Sequence, residues 1–202
     1  MKIGVDFDNT IINYDMVFNR AGCEMGLIPD NLEPGKNSVR DYLRRVGKED
    51  DWTWLQGYVY GTQLHHAEPY RGVMDFFRFC DENSITACII SHKTRYPYAG
   101  DKHDLHRSAR MWIENNGFSV DVYFEDTKTA KVDRINTLGC GIFIDDLPEF
   151  LSLPGFPAGL VKILFDPSGK QRVAGDAQGW LHAGSWEQVL EMTKPYISRT
   201  LS

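Results

Sequence analysis

The sequence predicts an α/β fold: a mainly parallel sheet flanked by helices, with a small α-helical cap inserted after the first strand. Three observations carry this prediction. Short apolar runs with strand character recur at Ile3–Phe7, Ile85–Ile90, Val120–Phe124, Gly141–Ile144 and Leu160–Phe165, and near-continuous apolar runs are what strands buried on both faces require. From the second run onward, helical patterns mostly separate them, the alternation that places helices on the faces of a parallel sheet. Seventy-seven residues lie between the first two runs, far more than one crossover helix needs, so something is inserted there.

Taken in order, Lys2-Ile3-Gly4-Val5 reads as a short buried strand that stops at Asp6-Phe7-Asp8. Tyr14–Gly26 and Asn37–Val46 read as helices separated by Pro29, Pro34 and Gly35, and Asp50–His66 is a third helical stretch rich in Trp52, Trp54, Tyr58 and Tyr60. The expected boundaries are a core of residues 1–13 and 68–202 and a cap of residues 14–67. Within the core, Val73–Cys80 carries apolar residues at helical spacing. Asp104–Asn116 does the same through Leu105, Ala109, Met111, Trp112 and Ile113 before a glycine stop at Gly117, and both read as crossover helices. The last helix starts near Ser185 and runs through Met192. Internal repeats and low-complexity tracts are absent from the sequence.

A chain of 202 residues buries a sizeable core without cross-links. The four cysteines, Cys23, Cys80, Cys88 and Cys140, form no CxxC pair and read as reduced, buried thiols. Asp6 and Asp8 interrupt the stretch that a secretory signal would need to be apolar, and no run is long enough for a spanning helix, so the expected location is cytoplasmic, away from membranes. The net charge of −6 argues against a nucleic-acid polymer as partner. A small phosphate ester remains compatible if a metal and a few cations line the site. The oligomeric state does not follow from these features.

The chemistry lies where the strands stop. Residues i and i+2 of a strand point the same way, so Asp6 and Asp8 project together, and two close carboxylates share either a proton or a metal. Ile89-Ile90 leads to Ser91-His92-Lys93, Tyr123-Phe124 leads to Lys128 and Lys131, and Ile142-Phe143-Ile144 ends in Asp145-Asp146. In open parallel sheets ligands bind beyond the carboxyl ends of the strands. One hydroxyl, one or two lysines and four carboxylates gathered there suit phosphoryl transfer. The acids hold a hard cation such as Mg²⁺, and the hydroxyl and ammonium receive phosphate oxygens.

These residues carry a resemblance to the haloacid dehalogenase (HAD) superfamily of hydrolases. Asp6-Phe7-Asp8-Asn9-Thr10 is similar to that family's first motif, Ser91 to the second, Lys131 to the third and Asp145-Asp146 to the fourth, in the required order. Ile144-Asp145-Asp146-Leu147-Pro148, Ser185-Trp186 and the helical insertion also resemble the 5'(3')-deoxyribonucleotidase branch. The resemblance implies a HAD-like Rossmannoid core. It implies Asp6 as the nucleophile that forms an aspartyl-phosphate and Asp8 as the acid and base. Mg²⁺ would be held by Asp6, the Asp8 main-chain carbonyl and the fourth-motif acids, with Asp146 favoured over Asp145 as the direct ligand. Asn9, Thr10, Ser91, His92 and Lys131 are the candidate phosphate-binding residues.

The expected activity is therefore Mg²⁺-dependent hydrolysis of a small phosphorylated metabolite, a nucleotide or a sugar phosphate. Asp8 argues against C–halogen hydrolysis, because halide leaves without a proton and an alkoxide does not. A phosphotransferase with the same intermediate and a non-catalytic phosphate-binding module are the other readings. Several residues keep a structural alternative: Lys128 rivals Lys131, and Trp54 and Tyr58, four apart on one helical face, suit a core stripe better than a stacking surface. His65-His66 lacks a metal-site context. Arg95 and Lys102, in the turn-rich stretch Arg95–His103, read first as exposed loop residues and second as contacts to a remote anion.

Overall fold

The structure, a computed structural model, describes residues 1–169 and 179–201. In chain order its elements are β1 (Lys2–Val5), β2 (Ile12–Asn13), α1 (Asp15–Glu24), α2 (Lys36–Arg45), α3 (Glu49–Gly61), a 3-10 turn (Leu64–His66), β3 (Glu68–Pro69) and α4 (Val73–Glu82). There follow β4 (Thr86–His92), α5 (Leu105–Asn115), β5 (Asp121–Glu125), α6 (Lys128–Thr137), β6 (Cys140–Asp145), α7 (Pro148–Leu151), β7 (Val161–Phe165), β8 (Leu181–Ala183) and α8 (Trp186–Leu201). They form two compact units. The first holds Met1–Ile11, Pro69–His92 and the chain from Phe118 onward; the second holds Ile12–Glu68 and Lys93–Gly117.

The first unit is built on a six-stranded parallel sheet in the order β5-β4-β1-β6-β7-β8. Its middle strands are the apolar runs of the sequence, with Ile3, Val5, Ile89, Ile90, Ile142, Phe143 and Ile144 all buried. Gly4 has a steric reason to be glycine: a Cβ there would lie 2.7 Å from the Phe143 ring of the neighbouring strand. Cys88, Ile90, Phe143 and Leu164 pack with Val132 and Ile135 of α6 and Phe150 of α7. The alternate residues Ile89 and Phe165 face the opposite way, where Trp186 of α8 meets Phe165 at 5.5 Å and Phe76 of α4 at 5.0 Å between ring centroids. Two elements escape the sequence pattern: β8 is three residues long, and α7 is a single turn opened by Pro148. Phe7, read as part of the first strand, lies beyond its end.

The second unit contains α1, α2 and α3, as the helical patterns predict, and also α5. The sequence reading placed residues 93–117 in the core as a crossover. In the structure α5 packs on α3 and the 3-10 turn, where Trp112 Nε1 donates to Ala67 O at 2.8 Å and Ser108 Oγ to Gly61 O at 3.0 Å. Periodicity reveals that a helix buries one face; it does not reveal the partner. Glycines on α3 let the segment that precedes α5 approach closely. A Cβ at Gly57 would lie 2.7 Å from both Ala99 O and Pro97, and one at Gly61 would lie 2.8 Å from His103.

Trp54 and Tyr58 stack on each other at 5.3 Å and 15°. Gly100, in the left-handed region, sits so close that its Cβ would be 3.0 Å from the Trp54 ring, and Gln63 Nε2 donates to Tyr58 Oη at 2.8 Å. The pair therefore fastens the 95–103 segment to α3. Cys80, Cys88 and Cys140 are buried free thiols, whereas Cys23 is half-exposed, contrary to the buried reading of all four. No helix of the described residues is long and apolar enough to cross a membrane.

A glycine-to-alanine change inside a helix ordinarily stabilises by up to ~1 kcal/mol. At Gly57 the sign reverses, because the new methyl meets backbone. Gly57→Ala is expected to destabilise by about 1–3 kcal/mol, read as a lower urea midpoint; a raised midpoint would show that the segment does not press on α3.

Candidate active site

The first unit concentrates its polar chemistry at the carboxyl end of the sheet. Val5 of β1 is level with Ile89 of β4 on one side and Ile144 of β6 on the other, and Asp6 N donates to Ile144 O at 2.9 Å. Asp6 therefore leaves the sheet beside Asp145, and Ser91 stands one residue past Asp6's level on β4. Beyond Asp6 the chain turns at once: Ile11 N donates to Phe7 O at 3.0 Å, and Asn9 adopts φ +60°, a conformation that asparagine tolerates better than most residues. Thr10 Oγ1 donates to Asp6 Oδ2 over a long 3.5 Å. Trp186 Nε1 donates to Thr10 O at 3.1 Å and so braces the turn from α8.

Lys131 arrives from α6. Thr127 caps that helix, with its hydroxyl accepting from Ala130 N at 3.0 Å. The Lys131 ammonium donates to Asp6 Oδ1 at 2.5 Å and to Asp145 Oδ2 at 2.6 Å, with the Phe150 ring centroid 4.2 Å away. Lys128 is partly exposed and only 3.9 Å from Glu149, outside the cluster. Asp145 Oδ1 accepts from Leu147 N at 2.9 Å, so both oxygens of that carboxylate are engaged.

Asp6, Asp145 and Asp146 each offer a carboxylate oxygen within 4.8 Å of the others, and all three are buried. Among the described residues no other group of histidine, cysteine and acidic side chains comes close enough to hold a metal; His65 and His66 touch only as rings, 3.9 Å apart. Three buried carboxylates facing one ammonium leave an excess of negative charge on hard oxygen donors, a set that fits Mg²⁺. Ser91 Oγ is buried and is the one fully buried side-chain polar atom among the described residues without a hydrogen-bond partner. Such a group is costly unless a ligand completes it.

The other candidates are placed as follows. Asp8 and Asn9 are half-buried in the turn after β1 and Thr10 is buried. His92, half-buried at the end of β4, donates from Nε2 to Asp126 O at 3.2 Å, which occupies one ring nitrogen with backbone. The bracing role of Trp186 was not assigned from the sequence. Ser185-Trp186 was singled out only for its resemblance, and nothing local reveals that the indole's acceptor lies 176 residues away.

Burial pushes the Asp6 carboxyl up to about 7; Lys131 opposes this, and the charges of Asp145 and Asp8 add to it. Burial alone would lower Lys131, yet Asp145 and then Asp6 hold its ammonium above the ordinary lysine value. The sign for Asp6 follows from linkage. Below the ordinary carboxylate range both folded and unfolded chains are protonated and the contribution is fully present. As pH rises towards about 7 the unfolded chain ionises while the folded one resists, and stability is lost. In chelator, the protein is expected to be less stable at pH 8 than at pH 5.5, with the Asp6 share on the order of a few kcal/mol. Asp6→Asn should flatten that part of the urea-denaturation profile; an unchanged profile would remove Asp6 as its source.

No family model matches the sequence, and no curated protein matches it. Solved structures match over nearly the whole chain. A HAD-superfamily hydrolase from Ehrlichia chaffeensis is 15% identical, with TM-score 0.57, covering 100% of this chain and 97% of that one. A predicted phosphoglycolate phosphatase from Haemophilus somnus is 13% identical, with TM-score 0.56 and coverages of 95% and 96%. The L-2-haloacid dehalogenase RSc1362 is 12% identical, with TM-score 0.60 and coverages of 96% and 98%. At such identities the likeness establishes architecture, and the architecture is plain: this chain has the fold of the haloacid dehalogenase superfamily.

Proposed function

We propose that the protein is a Mg²⁺-dependent phosphomonoesterase of the HAD superfamily, hydrolysing a small phosphorylated metabolite, a nucleotide or a sugar phosphate, through an aspartyl-phosphate on Asp6. The observation that carries this reading is the cluster in which Lys131 clasps Asp6 beside Asp145 and Asp146, with the buried, unpartnered Ser91 hydroxyl on the adjacent strand.

Each residue has a part that its surroundings support. Lys131 favours the ionised form of Asp6 and fixes Oδ1, leaving Oδ2 with only the long contact from Thr10. An Asp6 oxygen attacks phosphorus, the bond to the ester oxygen breaks, and Asp8 delivers a proton to that leaving oxygen. Asp8 then takes a proton from the water that cleaves the acyl phosphate and regenerates Asp6. The Ser91 hydroxyl and the Lys131 ammonium donate to phosphoryl oxygens, which also satisfies Ser91. Asp6, Asp146 and the main-chain carbonyl of Asp8 would hold Mg²⁺, and the full engagement of Asp145 by Lys131 and Leu147 supports Asp146 as the direct ligand. The ion supplies charge neutralisation between an anionic nucleophile and an anionic substrate.

The fold is shared with a haloacid dehalogenase as well as with a phosphatase-like protein. Asp8 favours the phosphatase, since a second acid is superfluous when the leaving group is halide. A panel of nucleoside monophosphates, deoxynucleotides and sugar phosphates, assayed for phosphate release with Mg²⁺ and with chelator, tests the proposal. Metal-dependent release is expected from at least one class. Folded, metal-binding protein that releases phosphate from none of them would refute it.

Two variants sharpen the roles. Asp6→Asn should abolish turnover. Asp8→Asn should lower kcat by about 10²- to 10⁴-fold while leaving Mg²⁺ affinity, followed by calorimetry, within a few-fold, because the metal contact expected from Asp8 is its carbonyl. Full activity in Asp8→Asn would exclude it as the acid.

A further inference from the structure

Asp8, assigned above to protonate the leaving oxygen, lies in a turn of the first unit that is held at both ends. At one end Asp6 N donates to Ile144 O at 2.9 Å, which continues the sheet ladder, and Lys131 fixes Asp6 Oδ1. At the other end Trp186 Nε1 donates to Thr10 O at 3.1 Å. Between them Ile11 N donates to Phe7 O at 3.0 Å, and Asn9, next to Asp8, is kept at φ +60°. A side-chain-bearing residue stays in that conformation only where its surroundings hold it there. Asp8 makes contacts of its own, so what Trp186 sets is the path of the backbone that carries it.

The indole is itself fixed. Trp186 is 1% exposed, and its ring meets those of Phe76 and Phe165 as described above. Gly72 passes so close that a Cβ there would be 3.1 Å from the Trp186 Cβ. The residue opens α8, where Ser185 Oγ accepts from Gln188 N at 3.3 Å and Ser185 O from Val189 N at 3.0 Å. Phenylalanine would fill most of this aromatic pocket. The indole adds a donor, and a buried Trp N–H ordinarily has a partner. Here the partner is a carbonyl two residues beyond Asp8. Loss of the donor therefore frees the Asp8 side of the turn, while Asp6 keeps its ladder bond and its lysine.

We propose that Trp186 is a positioning residue for the general acid: its indole N–H, acting through Thr10, sets the reach of the Asp8 carboxyl to the leaving oxygen. The inference rests on the phosphomonoesterase reading and adds to it a residue of α8. Its signature is a dependence on the leaving group. An alkoxide needs the Asp8 proton as the P–O bond breaks, whereas p-nitrophenolate leaves as a stable anion without one. A role in stability alone would lower both reactions alike.

The test compares the wild type with Trp186→Phe and with 3-benzothienylalanine in place of Trp186, an isostere that replaces the N–H with sulfur. Folding is followed by near-UV circular dichroism, and the isostere carries the test where phenylalanine unfolds the chain. At saturating Mg²⁺, kcat/KM is read for p-nitrophenyl phosphate and for the alkyl ester that the panel above releases fastest, because kcat/KM reports the step in which the leaving group departs. The alkyl ester should lose about tenfold to 10²-fold and p-nitrophenyl phosphate less than about threefold. In an Asp8→Asn background, Trp186→Phe should cost the alkyl ester almost nothing more, since its effect runs through Asp8. Phe76→Leu, which loosens the pocket and leaves the donor, should keep the wild-type ratio of the two rates. Equal losses on both esters in folded variants overturn the inference and leave the phosphomonoesterase reading standing, as do undiminished rates on both. A wild type that releases phosphate from neither ester overturns the reading and the inference together.

Discussion

The Lys131 ammonium between Asp6 and Asp145 is the contact on which the rest of the site depends. It joins three separate segments: the end of β1, the first turns of α6 and the end of β6. Ionised groups so deeply buried are tolerable only when paired and hydrogen-bonded, and removing one partner from such a cluster strands the others. The aromatic rings of Phe143 and Phe150 line the ammonium and keep water out, which strengthens both the attraction and the cost of any mismatch. The cluster remains negative overall, and that residual charge is what a divalent cation would answer.

The sheet explains why these groups meet. β1 lies between β4 and β6, so the two strands that flank it deliver Ser91 and Asp145-Asp146 to either side of Asp6 without any long loop. Parallel strands all end at the same edge, and a central strand buried on both faces leaves its polar residues only one place to go. The turn after Asp6 is then shaped by an asparagine in the left-handed region and by an indole from α8. Positioning thus comes from regular structure, with few residues spent on it.

What the sequence revealed followed the same logic. Strand-end polar residues could be read directly, because apolar runs locate the strands and the strands locate the edge. The choice between Lys128 and Lys131 could not be read from position in the helix, since it depended on which side chain turned inward; Lys131 is buried in the cluster and Lys128 is left near Glu149. The placement of α5 was hidden for a different reason. Its apolar stripe was evident, but its partners, α3 and the 3-10 turn, lie about fifty residues earlier, out of reach of any local pattern. β8 escaped notice because three residues hold too little alternation to register. Trp54 and Tyr58, expected as a core stripe, are not core: Trp54 is 39% exposed and Tyr58 half-buried, and the two stack on each other with Gly100 against the indole.

The support that Trp186 lends to Thr10 has a consequence for biosynthesis. A chain emerging from the ribosome presents Asp6 before Ser91, Lys131 and the tandem acids after both, and the bracing indole 176 residues after Thr10. Until α8 docks, the turn that follows Asp6 lacks its brace, and until α6 is present the buried carboxylates have no counter-charge. A fragment that stops short of α8 carries most of the chemical groups of the candidate site without the brace that shapes the turn after Asp6.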